Sequence, residues 1–90
     1  MAVRVRLSFQ LQEFTGGREY VESSGTTPVE CLRDLELRFP GIKRWLYDKW
    51  GDIRPQFQFF VNGVRIFAGE MNQPLKNDDE LYILVAVGGG

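Results

Sequence analysis

One long helix is clearly punctuated in this chain, and the segments on either side of it alternate with a period of two. Thr27-Pro28-Val29-Glu30 reads as a capping box with proline at the first helical position. The Thr27 hydroxyl is placed to accept from the Glu30 amide, and the Glu30 carboxylate to reach back to the Thr27 amide. Behind this box Val29, Leu32, Leu35 and Phe39 recur at helical spacing, with Cys31 beside the stripe, and Pro40-Gly41 stops the helix. One helix of this length cannot supply the crossovers of a doubly wound sheet. A single mixed sheet covering one helix is the economical way to bury both apolar faces, which places the chain in the α+β class.

The strands are read from alternation. Val3, Val5, Leu7 and Phe9 fall on one face and Arg4, Arg6, Ser8 and Gln10 on the other. Thr15-Gly16-Gly17 gives a turn, and Arg18 to Glu22 a return strand, making an N-terminal hairpin. Ile42 to Trp50 reads as a short second helix ending before Gly51, with Ile42, Trp45 and Leu46 inward. From Gln56 to Val61 the alternation resumes, with Phe57, Phe59 and Val61 on one face and Gln56, Gln58 and Phe60 on the other. Asn62-Gly63 is a tight-turn signal leading into Val64-Arg65-Ile66. After an irregular stretch through Pro74, Asn77-Asp78-Asp79 makes a turn. Glu80 to Val87 is then a last strand with Leu81, Ile83, Val85 and Val87 on one face.

Composition removes most catalytic machinery. Among ninety residues there is no histidine and one cysteine, Cys31. Serine and cysteine nucleophile systems that use histidine, zinc sites built on His or several Cys, disulfides and cysteine-held iron–sulfur clusters all lack their parts. Cys31 has no base or second thiol to activate it and reads as a small buried side chain. Eleven Lys/Arg against twelve Asp/Glu leave a net charge of −1. Arg4, Arg6, Lys43 and Arg44 therefore make a poor case for nucleic-acid binding, and no Gly-Lys-Ser/Thr phosphate loop exists. Asp78-Asp79-Glu80 is best read as turn formation, because three consecutive carboxylates on a turn do not converge on one point. No apolar run approaches a membrane span, and the lone cysteine fits a reducing compartment, so a cytoplasmic location with no membrane partner is expected.

The last residues remain. A strand runs into Gly88-Gly89-Gly90. This reads either as a frayed end or linker, or as a reactive terminus. Three extended residues span about 10 Å, enough to carry a carboxylate into another protein's cleft. Without side chains they pass a channel that a β-carbon would block. The α-carboxylate is ionised at neutral pH and is able to attack the α-phosphate of a nucleotide.

At this point the residues resemble a known family. Leu75-Lys76-Asn77-Asp78-Asp79-Glu80-Leu81-Tyr82-Ile83-Leu84-Val85-Ala86-Val87-Gly88-Gly89-Gly90 is similar to the end of the ubiquitin-like sulfur carriers. These include the small subunit of molybdopterin synthase, the thiamine sulfur carrier and the carrier that feeds sulfur to cysteine synthesis. Thr15-Gly16-Gly17, the capped helix with Pro40-Gly41-Ile42, and Phe60-Val61-Asn62-Gly63 fall where the longer carriers have similar residues. Two positions depart from the pattern. Asp78 stands where the turn glycine is usual, and Val85 where a proline is common before the tail. Aspartate tolerates left-handed geometry better than most residues.

The resemblance implies a β-grasp domain over residues 1–87 and a flexible glycine tail over 88–90. Its sheet has four to five strands packed on one main helix, with a short second helix beside it. It implies a carrier rather than an enzyme, binding no cofactor and no metal. A ubiquitin-activating-type enzyme, using ATP, adenylates the Gly90 carboxylate. A sulfur donor converts it to a thiocarboxylate, and a second enzyme accepts the sulfur. The acceptor is first expected to be the large subunit of molybdopterin synthase and second a cysteine synthase or a thiamine pathway. Gly88 and Gly89 give the tail its passage. A protein modifier joined to targets through Gly90 and a plain interaction module are the other classes. The alternation adds a partner-binding patch, since Phe60, Tyr82 and Leu84 project opposite Phe57/Phe59 and Leu81/Ile83, where an isolated domain prefers polar residues. A covering helix or loop is the other reading of that patch, and Arg4 and Arg6 are candidates to steer partners.

Overall fold

The computed structural model describes residues 1–86. The expectations for Val87, Gly88, Gly89 and Gly90 lie outside the described residues. The elements are β1 (Val3–Leu7), a 3-10 helix (Phe9–Thr15), β2 (Tyr20–Ser23), α1 (Pro28–Arg38), α2 (Gly41–Leu46), β3 (Phe57–Val61), β4 (Val64–Ile66), a short 3-10 turn (Ala68–Glu70) and β5 (Glu80–Val85). Five strands form one sheet in the order β2-β1-β5-β3-β4. β1 and β5 are parallel at its centre, and every other neighbouring pair is antiparallel. This is the mixed sheet and helix of the β-grasp fold.

α1 forms where its caps require. The Thr27 hydroxyl accepts from the Glu30 amide at 3.2 Å, and Pro28 occupies the first turn. The reach back differs from the expected box. Glu30 Oε1 accepts from the Thr26 amide at 3.0 Å and the Thr26 hydroxyl at 2.9 Å rather than from Thr27. Thr26 offers two donors to one oxygen where Thr27 offers one, and these donors hold the Glu30 carboxyl below its ordinary value. Leu32 and Leu35 are buried, while Val29 and Phe39 are half-buried against the core. Gly25 lets the start of this helix close onto the preceding loop, since a Cβ there would lie 2.7 Å from the Cys31 nitrogen.

The core lies between α1 and one face of the sheet. Val5, Leu7, Phe57, Phe59, Leu81 and Ile83 supply the sheet side, and Ile42 and Leu46 close it from α2. Asn62 and Gly63 turn between β3 and β4 with φ of 50° and 83°. Both central residues are left-handed, as a tight hairpin turn requires. Asp78, standing in for the turn glycine, takes φ 70°.

Two inward assignments are corrected. Phe9 does not continue the inner face of β1 and is 84% exposed. The strand ends at Leu7 because the chain winds into a 3-10 helix, whose period of three puts Leu11 in the core instead. Trp45 is 41% exposed. α2 has only six residues, and its buried face is used up by Ile42 and Leu46, four apart. That leaves Trp45 packed edge-on against Phe14, with ring centres 5.9 Å apart.

Candidate functional site

Two parts of the molecule meet where β5 ends: the outer face of the sheet and the strand terminus itself. The outer face is built by register. Arg6 stands opposite both Tyr20 and Tyr82, Tyr82 opposite Phe60, and Phe60 opposite Arg65. A row of Tyr20, Arg6, Tyr82, Phe60 and Arg65 therefore crosses all five strands. The Arg6 guanidinium lies 4.7 Å from the centre of the Tyr82 ring and 5.9 Å from that of Tyr20, and the Tyr82 and Phe60 ring centres are 5.9 Å apart. Arg6 also donates from Nε to Glu19 Oε2 at 2.8 Å. That bond raises the Arg6 pKa further above an already high ordinary value.

The structure thus brings two of the three expected patch residues together, Phe60 and Tyr82. Leu84 shares their face one step nearer the strand end, but its cross-strand partner is Gln58. All three are half-buried. α2 packs into the core through Ile42 and Leu46, so it does not cover this face. Tyr20 and Arg65 were missed as members of the row. The signal for Tyr20 was its position beside the inward Val21, while Arg65 needed the register of β3 with β4. The four basic residues grouped from the sequence are divided, with Arg4 and Arg6 on the outer face and Lys43 and Arg44 on α2.

The strand end is held from both sides. Val85 donates its amide to Ser8 Oγ at 3.2 Å, and Ala86 donates to the Gln56 carbonyl at 2.8 Å. Gly90, Gly89 and Gly88 lie beyond, outside the described residues.

The other candidate groups are structural. Asp79 Oδ2 accepts from the Lys76 amide at 2.8 Å and Oδ1 from Asn62 Nδ2 at 2.9 Å. These bonds pin the turn before β5 and hold the Asp79 carboxyl below its ordinary value. Cys31 is buried, and burial pushes its thiol up, away from a reactive thiolate. Among the described residues, no three His, Cys, Asp or Glu side chains are grouped to hold a metal ion. No described helix is long and apolar enough to cross a membrane.

With this geometry in hand, known proteins add the lineage. The ThiS family matches residues 5–90. CysO of Amycolatopsis orientalis, solved as a BexX/CysO complex, is 35% identical with a TM-score of 0.82, covering 98% of this chain and 99% of that one. Small archaeal modifier protein 1 of Methanosarcina acetivorans is 26% identical with a TM-score of 0.85, covering 99% and 96%. A chain of the complex between subunits 1 and 2 of the molybdopterin-converting factor of Helicobacter pylori is 26% identical with a TM-score of 0.66, covering 100% of both. No curated protein matches the chain. The protein belongs to the ThiS family of ubiquitin-like sulfur carriers.

Proposed function

We propose that the chain carries sulfur as a thiocarboxylate on the Gly90 carbonyl, with catalysis housed in its partners. The observation that carries this reading is the family match, which runs through residue 90 and so takes in the glycine run. A carboxylate oxygen of Gly90 attacks the α-phosphorus of ATP, and pyrophosphate leaves, giving an acyl adenylate. Hydrosulfide, or a donor equivalent to it, attacks the acyl carbon and AMP leaves with the bonding pair. The product is a thiocarboxylate that surrenders its sulfur to an acceptor enzyme. Gly88 and Gly89 carry no side chain to obstruct either cleft, and Phe60, Tyr82 and Leu84 dock the partner. None of these steps needs a histidine, a metal or a bound cofactor on this chain.

For the acceptor, the CysO likeness favours the cysteine-type pathway over the molybdopterin-type pathway that the sequence put first. Identity is 35% against 26%, and the TM-score 0.82 against 0.66. A protein modifier is the second reading, favoured by the likeness to the archaeal modifier. The test is intact mass after incubation with a ubiquitin-activating-type enzyme, ATP and sulfide. Replacement of one oxygen by sulfur at Gly90 supports carriage. Larger conjugates on added cell protein support modification, and an unchanged mass overturns both. Deleting Gly90 is expected to abolish the product while leaving the urea midpoint of unfolding in place.

A further inference from the structure

Ser8 is 5% exposed, at the point where β1 leaves the sheet. Its amide, its carbonyl and its hydroxyl oxygen are each engaged. Its amide donates to the Ile83 carbonyl at 3.0 Å, which continues the parallel pairing of β1 with β5. In an unbroken parallel ladder the Ser8 carbonyl would next accept from the Val85 amide. Here that carbonyl accepts instead from the Leu11 amide at 2.9 Å, starting the 3-10 helix. The Ser8 hydroxyl replaces it and accepts from Val85 at 3.2 Å in a buried bond. Val85 stands where the family resemblance leads one to expect a proline, which has no amide proton. With valine there, the buried N–H requires an acceptor. On the other side the Ala86 amide is held by Gln56.

We infer that Ser8 is a positioning residue: its hydroxyl latches the end of β5 and so sets how much chain is free to enter a partner's cleft. This rests on the carrier reading given above. With the latch closed at Val85 and Ala86, four residues follow to Gly90, a reach of at most about 14 Å. With it open, only the Gln56 carbonyl still holds the strand end, and letting go of that bond as well adds two residues and about 7 Å of reach.

Ser8→Ala is the first test, read by amide hydrogen exchange of the chain alone. Exchange at Val85 and Ala86 is expected to accelerate roughly tenfold or more, with Leu81 and Ile83 unchanged. Ser8→Thr, which keeps the acceptor, should restore the slow rate. The second test measures adenylation kcat/KM with the activating enzyme that accepts the wild-type chain. Deleting Gly88 shortens the reach and should lower kcat/KM. Adding Ser8→Ala to that deletion should recover part of the loss, which a merely structural role for Ser8 would not do. Unchanged exchange at Val85 in Ser8→Ala overturns the latch, and so does a double variant no better than the deletion alone. A wild-type chain that no activating enzyme adenylates removes the carrier reading, while the exchange result still decides the latch.

Discussion

The two faces of this sheet obey the same alternation and are covered differently. On the inner face, Val5, Leu81 and Ile83 are closed off from water and held by α1 and α2. On the outer face, the residues alternating with them include a cation stacked on a ring and two rings tilted against each other. The inner face has helices above it. Among the described residues the helices that close the core leave the outer face uncovered, so Phe60 and Tyr82 stay half-buried although they sit on inner strands of the sheet. An apolar residue at a central strand position is therefore no guide to its contribution to folding. What lies above the strand decides that. Inner-face substitutions should be felt in unfolding, and outer-face substitutions in partner encounter.

The largest effect expected is on the inner side. Leu81 is fully buried in β5 and stands opposite Val5 and Val61. Leu81→Ala removes its buried methyl groups and leaves a cavity, costing about 2–5 kcal/mol. Urea unfolding measures it. The fraction that remains folded should be adenylated with wild-type KM.

Next comes the converse. Phe60→Ala and Tyr82→Ala should each cost less than about 1 kcal/mol in unfolding, the scale of one cross-strand pair. If this face docks the partner, the same variants should raise the KM of adenylation roughly tenfold or more. Unfolding losses as large as that of Leu81→Ala, with KM unchanged, would reverse the assignment of the two faces.

A pH-dependent loss should appear on the dry side. Tyr47 packs against the core, and burial, followed by the Glu36 carboxylate, pushes its hydroxyl from 10.0 up to about 12. The fold favours the protonated phenol. Its contribution is fully present below pH 10 and is lost as pH rises through about 12. Tyr47→Phe should therefore unfold less steeply than wild type over that alkaline range. Identical alkaline profiles would mean that Tyr47 ionises without cost to the fold.

Much of this was legible before any coordinates because the signals are local. Thr27 to Glu30 carries its cap, Asn62-Gly63 its turn, and Leu81, Ile83 and Val85 their face within a few residues of sequence. What escaped was set by where an element ends or by distant partners. Alternation carries Phe9 onto the inner face, and nothing near it announces that Ser8 will spend its carbonyl on Leu11 and end the strand. Trp45 is apolar at helical spacing, yet a six-residue helix has no room for a third inward side chain. The outer row needs four registers at once, including the parallel pairing of the first strand with the last. The functional reading came from a segment with no side chains to interpret, so residue chemistry left it open between an inert linker and a reactive end. Order along the whole chain, and then a family match that runs through residue 90, support the second reading, which the mass measurement tests.

The smallest expected effect asks where the outer face stops being surface. Arg6 and Glu19 are bonded at 2.8 Å with side chains 40% and 44% exposed, and Arg6 also covers the Tyr82 ring. An exposed ion pair is screened once ionic strength brings the Debye length near 3 Å, at about 1 M salt, whereas contact between a guanidinium plane and a ring persists further. Arg6→Gln should lower the unfolding midpoint slightly at low salt, and the difference should close at about 1 M. A difference that survives high salt would assign the effect to the stack on Tyr82. The row across the strands would then be part of what holds the sheet together, and the division of labour between the two faces would fail at its centre.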